Sequence, residues 1–292
     1  MWTEEKHYNY TMKTHLEKAP KAYHNTEFLN SPAGRVIRII SEYQEPFERL
    51  KKNNIKDTIV FFGSARLKSP EDAKKEVKRL KSEMKLVQPE QIEEKKRLLE
   101  LMEVADNDLK NSRYYADTEE LAYMLTKWSM SLKNGNKFVV TSGGGPGIME
   151  AANRGARRAK GVTIGFNISL PFEQYPNKYI NEELNFEFHY FFMRKFWLAY
   201  LAKAVVIMPG GYGTLDELME VLTLVQTNKL RKNMAIVIYG KDYWNEILNF
   251  EALVKNNVIA KEDLNLFKFF DTPEETFDYL KKSLLKNYVN IL

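Results

Sequence analysis

Short apolar runs alternate with longer stretches of helical period along most of the chain, and that alternation predicts its elements. Residues 58–66 form a β-branched and aromatic run that ends in small residues, as a buried strand ending at a crevice would. Further strands are predicted at 138–141, 162–168, around Phe188, at 204–208 and at 234–239. Ser31 and Pro32 supply an N-cap and a first-turn proline for a helix whose apolar positions are Val36, Ile39, Ile40 and Tyr43, running to about Pro46. Leu121, Met124, Leu125 and Trp128 mark a helix that returns to the sheet, followed by a turn at 133–136. Others are expected at 148–152 and onward, at 192–203, at 218–226, and as two or three terminal helices. The whole reads as a Rossmann-like three-layer α/β/α fold with a parallel sheet.

Two stretches interrupt this rhythm. Residues 1–30 are polar and aromatic without a clear period, an extension that wraps a neighbour or is partly disordered. In residues 71–110, 21 of 40 positions are charged, while Val77, Leu80, Met84 and Val87, then Leu98, Met102, Ala105 and Leu109, keep helical spacing. Two exposed amphipathic helices with a break near Pro89 fit that pattern, and the near-cancelling signs favour a solvated face or a subunit-contact arm. The division is therefore an N-terminal extension and helix over 1–50 and a nucleotide-binding domain over 51–292, with a helical insertion at about 71–110.

Two of the predicted strands end in glycine. The run 204–208 leads into Pro209-Gly210-Gly211-Tyr212-Gly213-Thr214-Leu215-Asp216-Glu217, and the run 138–141 into Ser142-Gly143-Gly144-Gly145-Pro146-Gly147. Glycine has no Cβ, so bare backbone N–H groups and a helix N-terminus can approach an anion there. Gly210, Gly211 and Gly213 with Thr214 are the candidate seat for a phosphate, and Gly143, Gly144 and Gly145 the candidate border of the rest of the ligand. Thr214-x-x-Glu217 also has the form of a capping box, in which both side chains only satisfy the first N–H groups of a helix. Two such loops in one open α/β sheet meet where the strand order reverses.

Composition narrows the chemistry. The chain has no cysteine and four histidines, none in a zinc-protease pattern, so no metal site is expected. A net charge of +5 suits a small anionic ligand and is too small to argue for nucleic acid. With neither a long apolar run nor a signal segment, no membrane partner is expected and a cytoplasmic location is the default.

Ser142 to Glu150, Arg194-Lys195 and Pro209 to Glu217, in this order, with Phe61-Phe62-Gly63-Ser64-Ala65-Arg66 ahead of them, resemble the LOG (LONELY GUY) family over roughly residues 30–280, closest to its longer bacterial forms. Many members once carried the label lysine decarboxylase. The resemblance implies a cofactor-free phosphoribohydrolase that cuts the N-glycosidic bond of adenine-type, including cytokinin, nucleoside 5′-monophosphates, and a homo-oligomer, dimer or higher. Its catalytic pair falls on Arg194 and Glu217. Ser64, Lys195 and Tyr212 join the glycines as substrate contacts, with Glu173 on the 170–177 loop and Thr223 as further candidates. For Glu173 an exposed loop carboxylate, and for Thr223 a buried hydroxyl bonded to its own helix, are the competing readings. A nucleotide or molybdenum-cofactor carrier is the alternative function, since related folds hold phosphorylated ligands without turning them over. Lysine decarboxylation would need a pyridoxal phosphate lysine, for which no local pattern exists.

Overall fold

The computed structural model describes residues 18–88, 90–132, 138–171 and 175–289. The turn at 133–136, Glu173, Pro89 and most of the N-terminal extension lie outside them. The chain divides into two compact units between Tyr43 and Gln44.

In the first unit, Asn25 caps helix α1 (Thr26–Asn30) by accepting from the Phe28 N–H, and Ser31 caps the 3₁₀ turn Pro32–Gly34. The Arg38 guanidinium, on helix α2 (Arg35–Lys52), donates to the carbonyls of Leu29 and Ser31. Pro46 does not end α2 as expected: the helix carries it in its interior and continues to Lys52.

The second unit is built on a seven-stranded parallel sheet of order β4-β3-β2-β1-β5-β6-β7. Its strands are β1 (Asp57–Phe62), β2 (Phe138–Ser142), β3 (Thr163–Ile168), β4 (Asn185–Phe188), β5 (Ala202–Ile207), β6 (Ala235–Tyr239) and β7 (Lys268–Phe270). The central strands read as unbroken apolar runs because both faces are covered. Ile59, Phe61, Phe138, Val140, Ala204 and Val206 pack against helices α4 (Ile92–Ser131), α5 (Ile148–Arg158) and α10 (Pro273–Leu284) through Leu121, Leu125, Ile148, Ala152 and Leu280. The alternate residues point to the opposite face. There Phe62 adjoins Leu198 of α6 (Phe191–Tyr200) and Val221 of α7 (Tyr212–Gln226).

The charged segment forms two helices that part between Met84 and Ile92, near the expected break, and the second runs on further than expected. Its first half is α3 (Pro70–Met84), N-capped by Ser69, but its second half is the start of α4, which runs unbroken for 40 residues into the main core. Val77, Leu80, Leu98 and Ala105 form a small core of their own, with Met84, Val87, Met102 and Leu109 around it. Arg79 pairs with Glu76 and Glu83, and Arg97 with Glu94, within single helices. At the other end, β7 was not predicted, and helix 192–203 stops at Tyr200 because Ala202 and Lys203 already belong to β5. Two further helices, α8 (Lys241–Ile247) and α9 (Phe250–Lys255), lie between β6 and β7. Among the described residues, no helix is long and apolar enough to cross a membrane.

Candidate active site

The strand order places the site. From β1 the chain steps outward through β2, β3 and β4, then returns to the other side of β1 for β5, so the connections after β1 and β5 leave in opposite directions and open a crevice between them. The Ser64 N–H donates to the Pro209 carbonyl at 3.0 Å, and the Ile148 N–H to the Ser64 carbonyl at 3.0 Å, which ties the three loops together. The resulting crevice has a volume of about 630 Å³. Ser64, Gly143, Arg194, Gly210, Gly211, Tyr212, Gly213, Thr214 and Glu217 all line it.

Helix α7 begins at Tyr212 with Gly211 as its N-cap and no side-chain cap. Thr214 is thus already inside the first turn, and the capping-box reading of Thr214 and Glu217 is set aside. No acceptor among the described residues meets the N–H groups of Gly211, Tyr212, Gly213 and Thr214, the unpaired amides that every helix start leaves. A Cβ on Gly210 would lie 2.1 Å from Thr214 Oγ1, so packing within the loop demands that glycine. Gly211 and Gly213 are different, since a Cβ on either would meet nothing within 4 Å among the described residues.

Arg194 projects from α6 and Glu217 from the second turn of α7. Their side chains are each 13% exposed, with Arg194 Nη2 3.4 Å from Glu217 Oε1. That is a long contact for an ion pair, and Arg194 Nε is buried with no hydrogen-bond partner among the described residues. Burial raises the Glu217 carboxyl to about 7, with Arg194 and then Lys195 pulling the other way. Burial also lowers the Arg194 guanidinium from its usual value, opposed by Glu217. A carboxyl poised near neutrality beside a fixed cation can accept and return a proton at physiological pH, and as an anion it can face developing positive charge.

Other nominated residues sit elsewhere. Lys195 turns away from the crevice to bridge Asp216 at 2.6 Å and Glu220 at 3.0 Å, which braces α6 against α7. Thr223 is exposed, not buried, and donates to the Met219 carbonyl of its own helix at 2.7 Å. Gly144 and Gly145 do not line the crevice: their carbonyls accept from Asn177 Nδ2, each at 3.0 Å. Asn177 is held in turn by the fully buried Asn153, itself bonded to Ser142 and Thr163. Glu173 lies outside the described residues. Sequence reasoning missed Arg66, Met149, Tyr243 and Ile247, which also line the crevice. For Arg66 the signal was present in its motif; for Tyr243 and Ile247, on a short helix after β6, there was none.

Comparison with known proteins bears on this geometry. A family model described as possible lysine decarboxylase matches residues 149–280, a span that holds Arg194 and the whole of the second glycine loop. The cytokinin riboside 5′-monophosphate phosphoribohydrolase LOG7 of Arabidopsis thaliana is 30% identical over 135 residues, 41% of this chain and 57% of the relative. The chain is LOG-like. A probable LOG enzyme of Oryza sativa subsp. japonica, LOGL2, is 27% identical over 157 residues, 50% of this chain and 60% of the relative. The chain thus spans little more than half the length of the LOG relatives it matches. Among solved structures, the Moco carrier protein of Chlamydomonas reinhardtii matches 79% of this chain and 99% of its own at 16% identity, with a TM-score of 0.45.

Proposed function

We propose that the crevice hydrolyses the N-glycosidic bond of adenine-type nucleoside 5′-monophosphates, giving free base and ribose 5-phosphate. The observation that carries the proposal is the Glu217 carboxyl, raised to about 7 and set 3.4 Å from Arg194, in the same crevice as a row of open amides. The amides of Gly211, Tyr212, Gly213 and Thr214 take the 5′-phosphate, which a Cβ at 211 or 213 would hold off. Departure of the base takes the C1′–N bonding pair with it and leaves oxocarbenium-like charge on the ribose, which ionised Glu217 stabilises. Water then bonds to C1′ and passes its proton to Glu217, while the departing base takes up a proton from solvent. Arg194 orients the carboxylate and keeps a share of it ionised.

Among the described residues no lysine lines the crevice, so the lining does not offer the Schiff-base lysine that decarboxylation would require. The same reading takes the protein to be a homo-oligomer, with Val36, Ile37 and Ile40 of α2 as exposed apolar surface available to a second copy. A monomer by light scattering would refute that part.

The deciding experiment is incubation with AMP, adenosine and an N6-substituted AMP, followed by chromatography. Free base and ribose 5-phosphate from the monophosphates, with adenosine far slower, are expected. Intact AMP recovered on the protein would make it a carrier, and equal rates on AMP and adenosine would refute the phosphate seat.

A further inference from the structure

The seat after β5 has a polarity problem. Gly210 and Gly211 flank one peptide bond, and a glycine pair offers little steric resistance to rotation of that peptide plane. In a trans peptide the carbonyl and the N–H point in opposite directions. One orientation presents the Gly211 N–H to an anion; the other presents the Gly210 carbonyl, which repels it. Gly211 adds no side-chain packing to the choice, since a Cβ there would meet nothing within 4 Å among the described residues, and its own carbonyl is already engaged by the Leu215 N–H at 2.9 Å.

One side chain does make the selection. The Tyr243 hydroxyl donates to the Gly210 carbonyl at 2.9 Å, and every described peptide, this one included, is trans. Tyr243 is itself held firmly. Its neighbour Trp244 is fully buried and donates from Nε1 to the Tyr239 carbonyl at 3.0 Å. Helix α8 is entered from Gly240 at its N-cap, whose φ of 90° and close approach to the Tyr114 ring admit no other residue readily. The Gly240 N–H reaches the Phe270 carbonyl and the Lys241 N–H reaches Asp271 Oδ1, which pins the helix start to the end of β7.

We propose that Tyr243 is a positioning residue for anion binding: by holding the Gly210 carbonyl, it keeps the Gly211 N–H turned towards the 5′-phosphate. The inference rests on the phosphate-seat part of the reading above and not on hydrolysis. It also explains why a residue far along the chain, on a short helix after β6, lines the crevice at all.

The test is Tyr243→Phe, which removes one oxygen and keeps the ring packed. AMP and adenosine are titrated calorimetrically into both proteins, and base release is measured on both. Loss of one hydrogen bond that fixes a binding group predicts AMP affinity weaker by about tenfold, with adenosine affinity and the thermal midpoint nearly unchanged. KM for AMP rises by the same factor while kcat holds. Equal AMP affinity in the two proteins overturns the proposal, and so does an equal loss for AMP and adenosine, which is the mark of a merely structural role. As a check that needs no variant, the Gly211 amide of the unaltered protein should shift on adding inorganic phosphate; an unmoved resonance counts against the proposal. Wild-type protein that binds AMP without releasing base would sink the hydrolase reading alone, whereas base release with an unaffected KM in Tyr243→Phe would sink the Tyr243 role alone.

Discussion

After β2 the chain passes through Gly143, Gly144, Gly145 and Gly147 into α5, and after β5 through Gly210, Gly211 and Gly213 into α7. In the first loop the glycines answer to the protein. Gly144 has φ 78° and would drive a Cβ to 2.3 Å from Asn167 Oδ1; Gly147 has φ 68° and would place one 2.4 Å from the Ser64 carbonyl. The loop's carbonyls are gripped by Asn177. In the second loop only Gly210 is required by packing, while Gly211 and Gly213 face open space. A glycine that neither conformation nor packing demands points to something outside the chain. Loop one is a scaffold for the crevice wall, and loop two is the surface that meets the ligand.

The largest effect should come from the acid that loop two delivers. Glu217→Gln keeps the size of the side chain and removes its charge, so base release from AMP should fall by about 10²–10⁴ with AMP affinity largely kept, the pattern of an interaction made mainly in the transition state. Near-normal turnover in a folded Glu217→Gln preparation would leave the second loop as a binding surface only.

Next comes Gly144→Ala in the scaffold loop. A left-handed φ and a fixed Asn167 should together cost about 2–4 kcal/mol of stability, read as a lowered denaturation midpoint. The protein that remains folded should bind AMP normally. Weakened binding without lost stability would place Gly144, like Gly143, at the ligand.

Gly213→Ala gives the opposite signature. Alanine in a helical turn should add up to about 1 kcal/mol of stability, while its methyl weakens AMP binding by about 10–100-fold through lost charge-assisted hydrogen bonds. A variant that melts higher and binds worse is the sharpest single check on the contrast between the loops. An unchanged affinity would return Gly213 to the same class as Gly144.

The smallest effect is in the pH profile. If Glu217 works as the carboxylate, kcat/KM should rise with pH and level off above about 7, its raised value. Stability runs the other way. A carboxyl raised from 4.5 to about 7 on folding contributes fully below 4.5, and that contribution is lost as pH climbs through 7. Glu217→Gln should therefore gain on the wild type in thermal midpoint above neutrality and not in acid. A flat activity profile from mildly acidic to mildly alkaline pH would remove Glu217 as the titrating group.

The same contrast explains what could be read from the chain beforehand. Central strands such as 204–208 were legible because a strand buried on both faces must be continuously apolar. Strand β7 was not, since Lys268-Phe269-Phe270 is too short to show a period. Helix α4 was read in pieces because its apolar face changes partners along its length, from Leu98 in the small core to Leu121 and Leu125 in the main one. Residue patterns found both glycine loops and gave the phosphate to the second, but that Gly144 and Gly145 are engaged by the protein could not be read, since Asn167 and Asn177 lie well along the chain. The meeting of Arg194 with Glu217, 23 residues apart, came from family resemblance and not from periodicity. Lys195 shows the limit of that route: its motif placed it beside Arg194, but its side chain goes to Asp216 and Glu220.

Helix α4, 40 residues and so ~60 Å long, joins a small outer core to the large inner one. Its amide hydrogens should therefore record a gradient of exchange with solvent deuterium. Those near Leu121–Leu125, packed against the sheet, wait for global unfolding, and those near Ile92 exchange through local fraying. A single rod thus carries both the slowest and some of the fastest protons in the molecule, and a protease that cuts its outer turns would find the inner ones still folded.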